Sequence, residues 1–214
     1  MATEKTQILT PVGRLINHAL FEKDKFVDAK GNEGKPSYKI EMAFDPDDLK
    51  DLEDAIVDAC VTKWGASAEK DYDEGKINSP ILDGDDLAAK RVAKGKQGDA
   101  YVGKLVIRAS TQFNLDGQDA PGGVYVAGDD GNALDFTQRG TVYQGCMGMA
   151  LIEVNCYDPI GRDGKPGVNL YLKGFQWTGE GERLVSNSAA GAFKPVGRTA
   201  SNDEGGSSRR RRAG

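Results

Sequence analysis

The chain has 214 residues, of which 38% are hydrophobic and 29% are charged, and its net charge is −5. These values suit one soluble domain with a sizeable core, and they argue against a protein that coats nucleic acid through bulk positive charge alone. No apolar run reaches the roughly 18 residues of a membrane span and the polar start lacks a signal-peptide core, so we expect a cytoplasmic chain that binds no membrane.

The first half of the chain predicts two strands and one helix. A short strand is expected over residues 8–15, and alternating apolar and polar side chains predict a second strand over residues 38–44. Apolar residues then recur at three- and four-residue spacings, which predicts an amphipathic helix over residues 47–64 that is laid on a sheet. Residues 66–98 are mostly polar, so we expect a long surface excursion there.

The second half of the chain is dominated by strand signals. Strands are predicted over residues 101–113, 123–126 and 142–157, and a final pair over residues 168–177 and 182–185. Several short strands with one clear helix favour a mainly β domain, either a small barrel or a sandwich.

The strand predicted at residues 168–177 has two different faces, because alternate residues of an extended strand share a side. One side carries the aliphatic residues Val168, Leu170 and Leu172. The other side, provided that Gly174 introduces no bulge, carries the aromatic and basic residues Tyr171, Lys173, Phe175 and Trp177. Rings beside a cation can stack unpaired bases and neutralise phosphates. The alternative is that the rings fill a second buried layer.

Signals of catalysis and of metal binding are weak. His18 is the only histidine, so we predict a structural role for it rather than a place in a triad or a metal site. The three cysteines are widely spaced and lack CxxC pairing, which is typical of buried free thiols. We therefore predict a protein that is not an enzyme and that has no catalytic residue, metal or cofactor.

The end of the chain differs in composition from the rest. From Arg198 onward five arginines stand against Asp203 and Glu204, a net +3, which leaves −8 for residues 1–197. Residues rich in glycine, serine and arginine bury too little apolar surface to offset the entropy of ordering. We predict a folded domain over residues 1–185 and a disordered tail over residues 186–214. The four-arginine run at its end either holds phosphates or is a solvated terminus.

Different short motifs follow one another along the chain in a recognisable order: Gly13-Arg-Leu15, Lys35-Pro-Ser-Tyr-Lys39, Ile81-Leu-Asp-Gly-Asp85, Ile107-Arg-Ala-Ser110, Tyr143-Gln-Gly-Cys146, Asn155-Cys-Tyr-Asp158 and Gly181-Glu-Arg-Leu184. Over residues 8–185 their order and spacing resemble a family of bacteriophage single-stranded DNA-binding proteins. The resemblance implies an oligonucleotide-binding (OB) barrel with insertions. It also implies binding of single-stranded DNA without sequence preference, in phage replication or recombination, in the cytoplasm of the infected bacterial host.

One feature departs from that functional type. Replication proteins of this kind often end in an acidic tail that recruits partners, whereas this chain ends in Arg209-Arg-Arg-Arg212. The resemblance therefore does not extend to recruitment through an acidic tail.

The combined prediction is a mainly β, OB-like barrel with one amphipathic helix, a long inserted loop region and a disordered C-terminal tail. We predict that aromatic and basic side chains of its strands bind single-stranded DNA: Arg14, Tyr38, Lys39, Lys104, Arg108, Phe113, Tyr143, Tyr171, Lys173, Phe175 and Trp177. Phage replication proteins and a second copy of the chain are left open as further partners. The alternative function is a non-enzymatic β-rich structural or protein-interaction module of a phage, in which the aromatic face contacts protein.

Overall fold

The structure of the protein is a computed structural model that describes residues 7–25, 31, 33–112, 124–135, 137–159 and 164–184. The strands are β1 (Gln7–Leu9), β2 (Gly13–Asp24), β3 (Ser37–Phe44), β4 (Ile81–Asp83), β5 (Leu105–Thr111), β6 (Tyr125–Ala127), β7 (Met147–Tyr157) and β8 (Gly167–Gly179). The α-helices are α1 (Lys50–Trp64), α2 (Ser67–Asp73) and α3 (Gly84–Val92). Short 3-10 turns occur at Pro46–Leu49, Asp99–Tyr101 and Gln138–Thr141.

Five of the strands form a closed ring. Their order is β2-β3-β5-β8-β7, and β7 pairs again with β2. All neighbours in the ring are antiparallel except β5 and β8, which run parallel. Strand β1 extends the sheet along β7, and β6 extends it along β8. The predicted mainly β architecture is confirmed, with a ring closed by strands that lie far apart in the sequence.

The main core fills the ring and is covered by α1. The aliphatic face predicted for β8 is confirmed, since Val168, Leu170 and Leu172 are buried in this core. The apolar stripe of α1 packs against β7. The helix starts from the 3-10 turn at Pro46–Leu49 and ends at Gly65, whose φ of 89° suits glycine. The helix predicted over residues 47–64 is thus confirmed.

The prediction of a long surface loop over residues 66–98 is wrong, because α2, β4 and α3 occupy much of this segment. Strand β4 pairs with β5, and the Asp83 carboxylate caps α3 by accepting from the backbone N–H groups of Asp85 and Asp86. The buried side of α3 meets the outside of the ring, where Ala88 packs in a second small core with Ile16. One end of the outer surface of β2, β3 and β5 is therefore covered.

Strand β8 contains a bulge that divides it into two parts. Leu172 pairs with Ile152 and Gly174 pairs with Leu151, so Lys173 has no partner in the β7 register. An extra residue reverses the inward and outward alternation beyond it. Phe175, predicted to share the face of Tyr171, is consequently only 2% exposed. Its ring occupies the space that a side chain at position 148 would need, so Gly148 is required there.

Other predictions concern the chain after β8 and outside the described residues. Residues 182–184, predicted as an edge strand, have no regular secondary structure. The predicted tail over residues 186–214 and the candidate residue Phe113 lie outside the described residues. Within the described part of the chain, none of the helices has the length and apolar character needed to cross a membrane.

Candidate nucleic-acid interface

The outer surface of β3, β5 and β8 brings several predicted binding residues together. Lys39 pairs with Ser110 across β3 and β5, and Ser110 pairs with Tyr171 across β5 and β8. Paired residues share a face of a sheet, so these three side chains form a row across the ring. Tyr171 is 39% exposed and its ring is open to a ligand. We call the surface formed by Lys39, Arg108, Ser110, Tyr171 and Lys173 the strand face.

A second row of the strand face is built around a carboxylate. Arg108 pairs with Glu41, and the Arg108 Nε atom donates to Glu41 Oε2 at 2.7 Å. The other oxygen of Glu41 accepts a short hydrogen bond from the hydroxyl of Tyr101. Burial of Tyr101 and its bond to this carboxylate raise the pKa of the phenol well above its usual value. Glu41 therefore orients Arg108 and partly neutralises it.

Lys173 stands on the strand face beside Tyr171, because residues two apart in a strand share a side, and at the bulge it has no partner in the β7 register. Its ammonium lies 2.8 Å from Glu153 Oε2, and Glu153 is only 2% exposed. A buried carboxylate is unfavourable without a cation, so this pair fixes the Lys173 side chain over the sheet.

The strand face continues into an apolar patch that the sequence analysis missed. Leu9 pairs with Leu151, Leu151 with Gly174, and Gly174 with Tyr125, which makes a row across β1, β7, β8 and β6. A cavity of about 460 Å³ lies over this row and is also lined by Lys173. Tyr125 is 44% exposed. The missing side chain at Gly174, where the Tyr125 carbonyl would lie 3.2 Å from a Cβ, was the available signal of a close neighbour.

The cations predicted to contact DNA each lie beside a carboxylate. The Lys39 ammonium forms an ion pair with the Asp24 carboxylate, and its hydrogen bond and charge lower the pKa of that carboxyl. The Lys104 ammonium lies 2.6 Å from the Asp45 carboxylate. Exposed pairs of this kind stabilise a fold by about 0–1 kcal/mol, so a phosphate can replace the carboxylate at little cost. The surface thus alternates in charge.

Four predicted residues, namely Tyr38, Lys104, Phe175 and Trp177, do not belong to the strand face. Tyr38 is 8% exposed and lies in the core, on the opposite side of β3 from Lys39. Phe175 and Trp177 follow the bulge, so Phe175 is buried and Trp177 packs half-buried against the core. Their predicted place beside Tyr171 is wrong, because a regular alternation was carried through the bulge. Lys104 immediately precedes β5, at the end that α3 covers, where its carbonyl accepts from the N–H of Gly84.

Arg14 lines a neighbouring cleft of about 950 Å³, and Tyr143 lies under Arg183, another residue of the lining. The basic lining residues of this cleft are Arg14, Arg91, Lys96 and Arg183, and we call it the arginine cleft. Arg183 sits over the ring of Tyr143 with Cζ 3.8 Å from the ring centroid. Tyr143 is thus half-buried and covered by a cation, an arrangement that does not leave this face of its ring open to a base.

Comparison with known proteins identifies the family. The model of the family described as "Enterobacter phage Enc34, ssDNA-binding protein" matches residues 6–204. The chain belongs to this family. The family resemblance predicted from the short motifs is confirmed, whereas no curated protein matches the chain significantly.

Solved structures of phage proteins share the fold of this Enc34-family chain. The single-stranded DNA-binding protein from bacteriophage Enc34, as a C-terminal truncation, has a TM-score of 0.57 at 16% identity, over 83% of this chain and 88% of that one. The same protein in complex with ssDNA has a TM-score of 0.56 at 15% identity, over 84% and 89%. The gp2.5 protein, a single-stranded DNA-binding protein encoded by bacteriophage T7, has a TM-score of 0.57 at 13% identity, over 92% and 100%.

Proposed function

We propose that the protein binds single-stranded DNA without sequence preference and without catalysis, in phage DNA replication or recombination in the cytoplasm of the infected host. Membership of a family described as ssDNA-binding supports the ligand. A solved relative of the same fold is described in complex with ssDNA, which supports the same ligand class.

We infer further that the ring of five strands is an OB-type barrel. OB barrels bind oligonucleotides on the outer surface of their second and third strands. In ring order these strands are β3 and β5, which carry Lys39, Arg108 and Ser110. The observation that carries the proposal is that an exposed ring, Tyr171, lies in the same row as Lys39 and Ser110.

In the proposed mechanism, aromatic rings contact the bases and cations contact the phosphates. Tyr171 stacks on a base, and every base offers a π-face, so stacking requires no particular sequence. Lys39 and Arg108 contact phosphates, which compete with the carboxylates now beside these cations. Lys173 stays paired with the buried Glu153 carboxylate and offers its remaining N–H groups to a phosphate. Tyr125, on β6 next to β8, is a second exposed ring that extends the DNA-binding surface.

A titration of fluorescein-labelled oligo-dT followed by anisotropy tests this mechanism. Tyr171→Ala is expected to weaken binding by roughly 1–3 kcal/mol, the usual contribution of one stacked base, with little change in thermal stability. Tyr171→Phe is the matched control, because it keeps the ring and should keep the affinity. Equal affinities of wild type and Tyr171→Ala would contradict stacking at this position, and a wild type that does not bind oligo-dT would contradict the function.

A further inference from the structure

The arginine cleft concentrates positive charge on a protein whose net charge is −5. Its lining has four cations, Arg14, Arg91, Lys96 and Arg183, against the carboxylates Asp99 and Glu182. Concave walls focus the field of such a group and raise the local concentration of anions. The cleft therefore has the charge and the volume, about 950 Å³, to take a polyanionic segment.

Two arginines of the cleft are held over tyrosine rings. The Tyr143 ring under Arg183 is fixed at its hydroxyl, which donates to the carbonyl of Gly181 at 2.9 Å and accepts from its N–H at 3.1 Å. The Cζ atom of Arg91 lies 5.0 Å from the centroid of the Tyr101 ring. A guanidinium held over a ring keeps N–H groups at its rim for the paired oxygens of a phosphate.

Arg14 adds a donor on the β2 side of the cleft. Its Nη2 atom donates to the carbonyl of Glu182 at 2.7 Å, which anchors the guanidinium to the segment after β8. Its Nε atom is buried and has no hydrogen-bond partner among the described residues. A buried N–H group without an acceptor is unusual, and it is a further reason to expect an acceptor at this wall.

The cleft adjoins the strand face. Gln144, which lines the cleft, donates from Nε2 to Asn17 Oδ1 at 3.1 Å, and Asn17 pairs with Glu41 across β2 and β3. Tyr101 also lines the cleft and bonds to Glu41. Glu41 in turn holds Arg108 of the strand face. A strand of nucleic acid that leaves Arg108 reaches the cleft across one β-strand.

The positive charge of residues 185–214 argues against this segment as the ligand of the cleft. Leu184 lines the cleft, and residues 185–214 continue from there with six Lys and Arg residues against Asp203 and Glu204. A cationic segment is repelled by a cationic cleft. The ligand is therefore an anion from outside the chain.

We propose that the arginine cleft is a second phosphate-binding subsite, which takes the backbone of single-stranded DNA continuing from the strand face. This inference rests on the proposed function and extends the track of the DNA. The cleft contacts phosphates rather than bases, because the ring of Tyr143 already carries Arg183.

The double variant Lys96→Gln/Arg183→Gln tests the subsite, since both side chains are exposed. Lys50→Gln/Lys70→Gln removes the same charge from exposed positions on α1 and α2 and is the control. Anisotropy titrations use oligo-dT of about 4 and about 16 nucleotides, the limits for one OB fold. We expect the cleft variant to bind the short strand within about twofold of wild type and the long strand at least about tenfold more weakly, with a salt slope smaller by about 1.4 for two lost phosphate contacts.

A third set of strands separates backbone from base contacts. Abasic residues replace the nucleotides at one end of the long strand, and each end is tested in turn. At the end that enters the cleft, the replacement should preserve the gain in affinity of the long strand over the short one. Equal long-strand affinities and salt slopes for wild type and the cleft variant would overturn the subsite. So would an equal loss of affinity in the control variant. Abasic residues that abolish the gain in affinity of the long strand over the short one, whichever end carries them, would also overturn it. A wild type that binds neither strand overturns the proposed function itself.

Discussion

Glu41 joins the strand face to the arginine cleft, because it accepts hydrogen bonds from both Arg108 and Tyr101. The carboxylate holds Arg108 in place and also competes with a phosphate for it. The Arg108 side chain is 53% exposed, although that of Glu41 is only 15% exposed, so solvent screens the pair from one side and the competition costs a phosphate about 1 kcal/mol.

Replacing Glu41 with glutamine separates these two effects. The amide still accepts from the Tyr101 hydroxyl, but it no longer neutralises Arg108. We expect Glu41→Gln to raise the affinity for oligo-dT at low salt by up to about fivefold, and to steepen the salt dependence. Glu53→Gln, on the exposed side of α1, is the control. Weaker binding by Glu41→Gln would mean that orientation of Arg108 outweighs its release.

His18 provides a pH-dependent term in stability. The side chain lies edge-on to Phe21 with ring centroids 6.3 Å apart, and burial lowers its pKa from 6.5. The unfolded chain therefore binds a proton at a pH where the folded protein does not. The free energy of unfolding should fall as the pH drops from 6.5 toward the lowered pKa, and this part of the loss should vanish in His18→Gln.

This prediction can be measured cleanly because the chain has one histidine. Denaturant unfolding between about pH 5 and about pH 7.5 gives the stability, and an NMR titration of the imidazole gives the pKa in the folded state. An imidazole pKa at or above the ordinary value of 6.5 would contradict the assigned effect of burial.

Strand β8 is the element that decides which rings face the ligand. Before the bulge at Lys173 the outward ring is Tyr171, and after it Phe175 points into the core. We expect Phe175→Ala to lower the free energy of unfolding by about 3–5 kcal/mol, as for other buried rings. Oligo-dT affinity of the folded fraction should be nearly unchanged. Urea unfolding beside binding titrations distinguishes this from Tyr171→Ala, and a stable Phe175→Ala variant that has lost affinity would reverse the assignment.

The sequence predicts those elements whose side chains repeat regularly. The helix at residues 47–64 and the aliphatic face of β8 follow from spacing alone, and both are present. The short helices α2 and α3 bury only two residues each, Ala68 and Tyr72 in α2 and Gly84 and Ala88 in α3, so their apolar period is weak. The bulge in β8 lies next to Gly174, where Tyr125 of a distant strand pairs, and no local pattern of side chains marks it.

At the scale of the whole molecule, the pairing of charges could not be predicted. Lys39 and Arg108 are visible as cations in the sequence, but their carboxylate partners are set by the register of neighbouring strands. The closure of β7 onto β2 is likewise a long-range contact. The row that contains Leu9 and Tyr125 depends on the pairing of β1 with β7, of β7 with β8 and of β6 with β8, and a sequence pattern does not specify these registers.

We predict that the arginine run at residues 209–212 contributes to DNA binding through contacts with phosphates. Much of the acidic charge it could meet over residues 66–98 is already paired, as in the contacts of Lys76 with Asp71 and Glu74. We expect truncation after Val185 to weaken oligo-dT binding at low salt and to reduce the salt slope by about 0.7 for each lost phosphate contact. Equal affinities and slopes for the full-length and truncated chains would show that the arginines do not contact DNA.

On the proposed interface, single-stranded DNA lies across the outer surface of β3, β5 and β8. Photo-crosslinking of the full-length protein to oligo-dT carrying 5-iodouracil, followed by mass spectrometry of the peptides, locates the bases directly. We expect adducts at Tyr171 and at Tyr125, the exposed rings along β8. Adducts confined to rings away from this surface, such as Trp64 at the end of α1, would contradict the proposed interface.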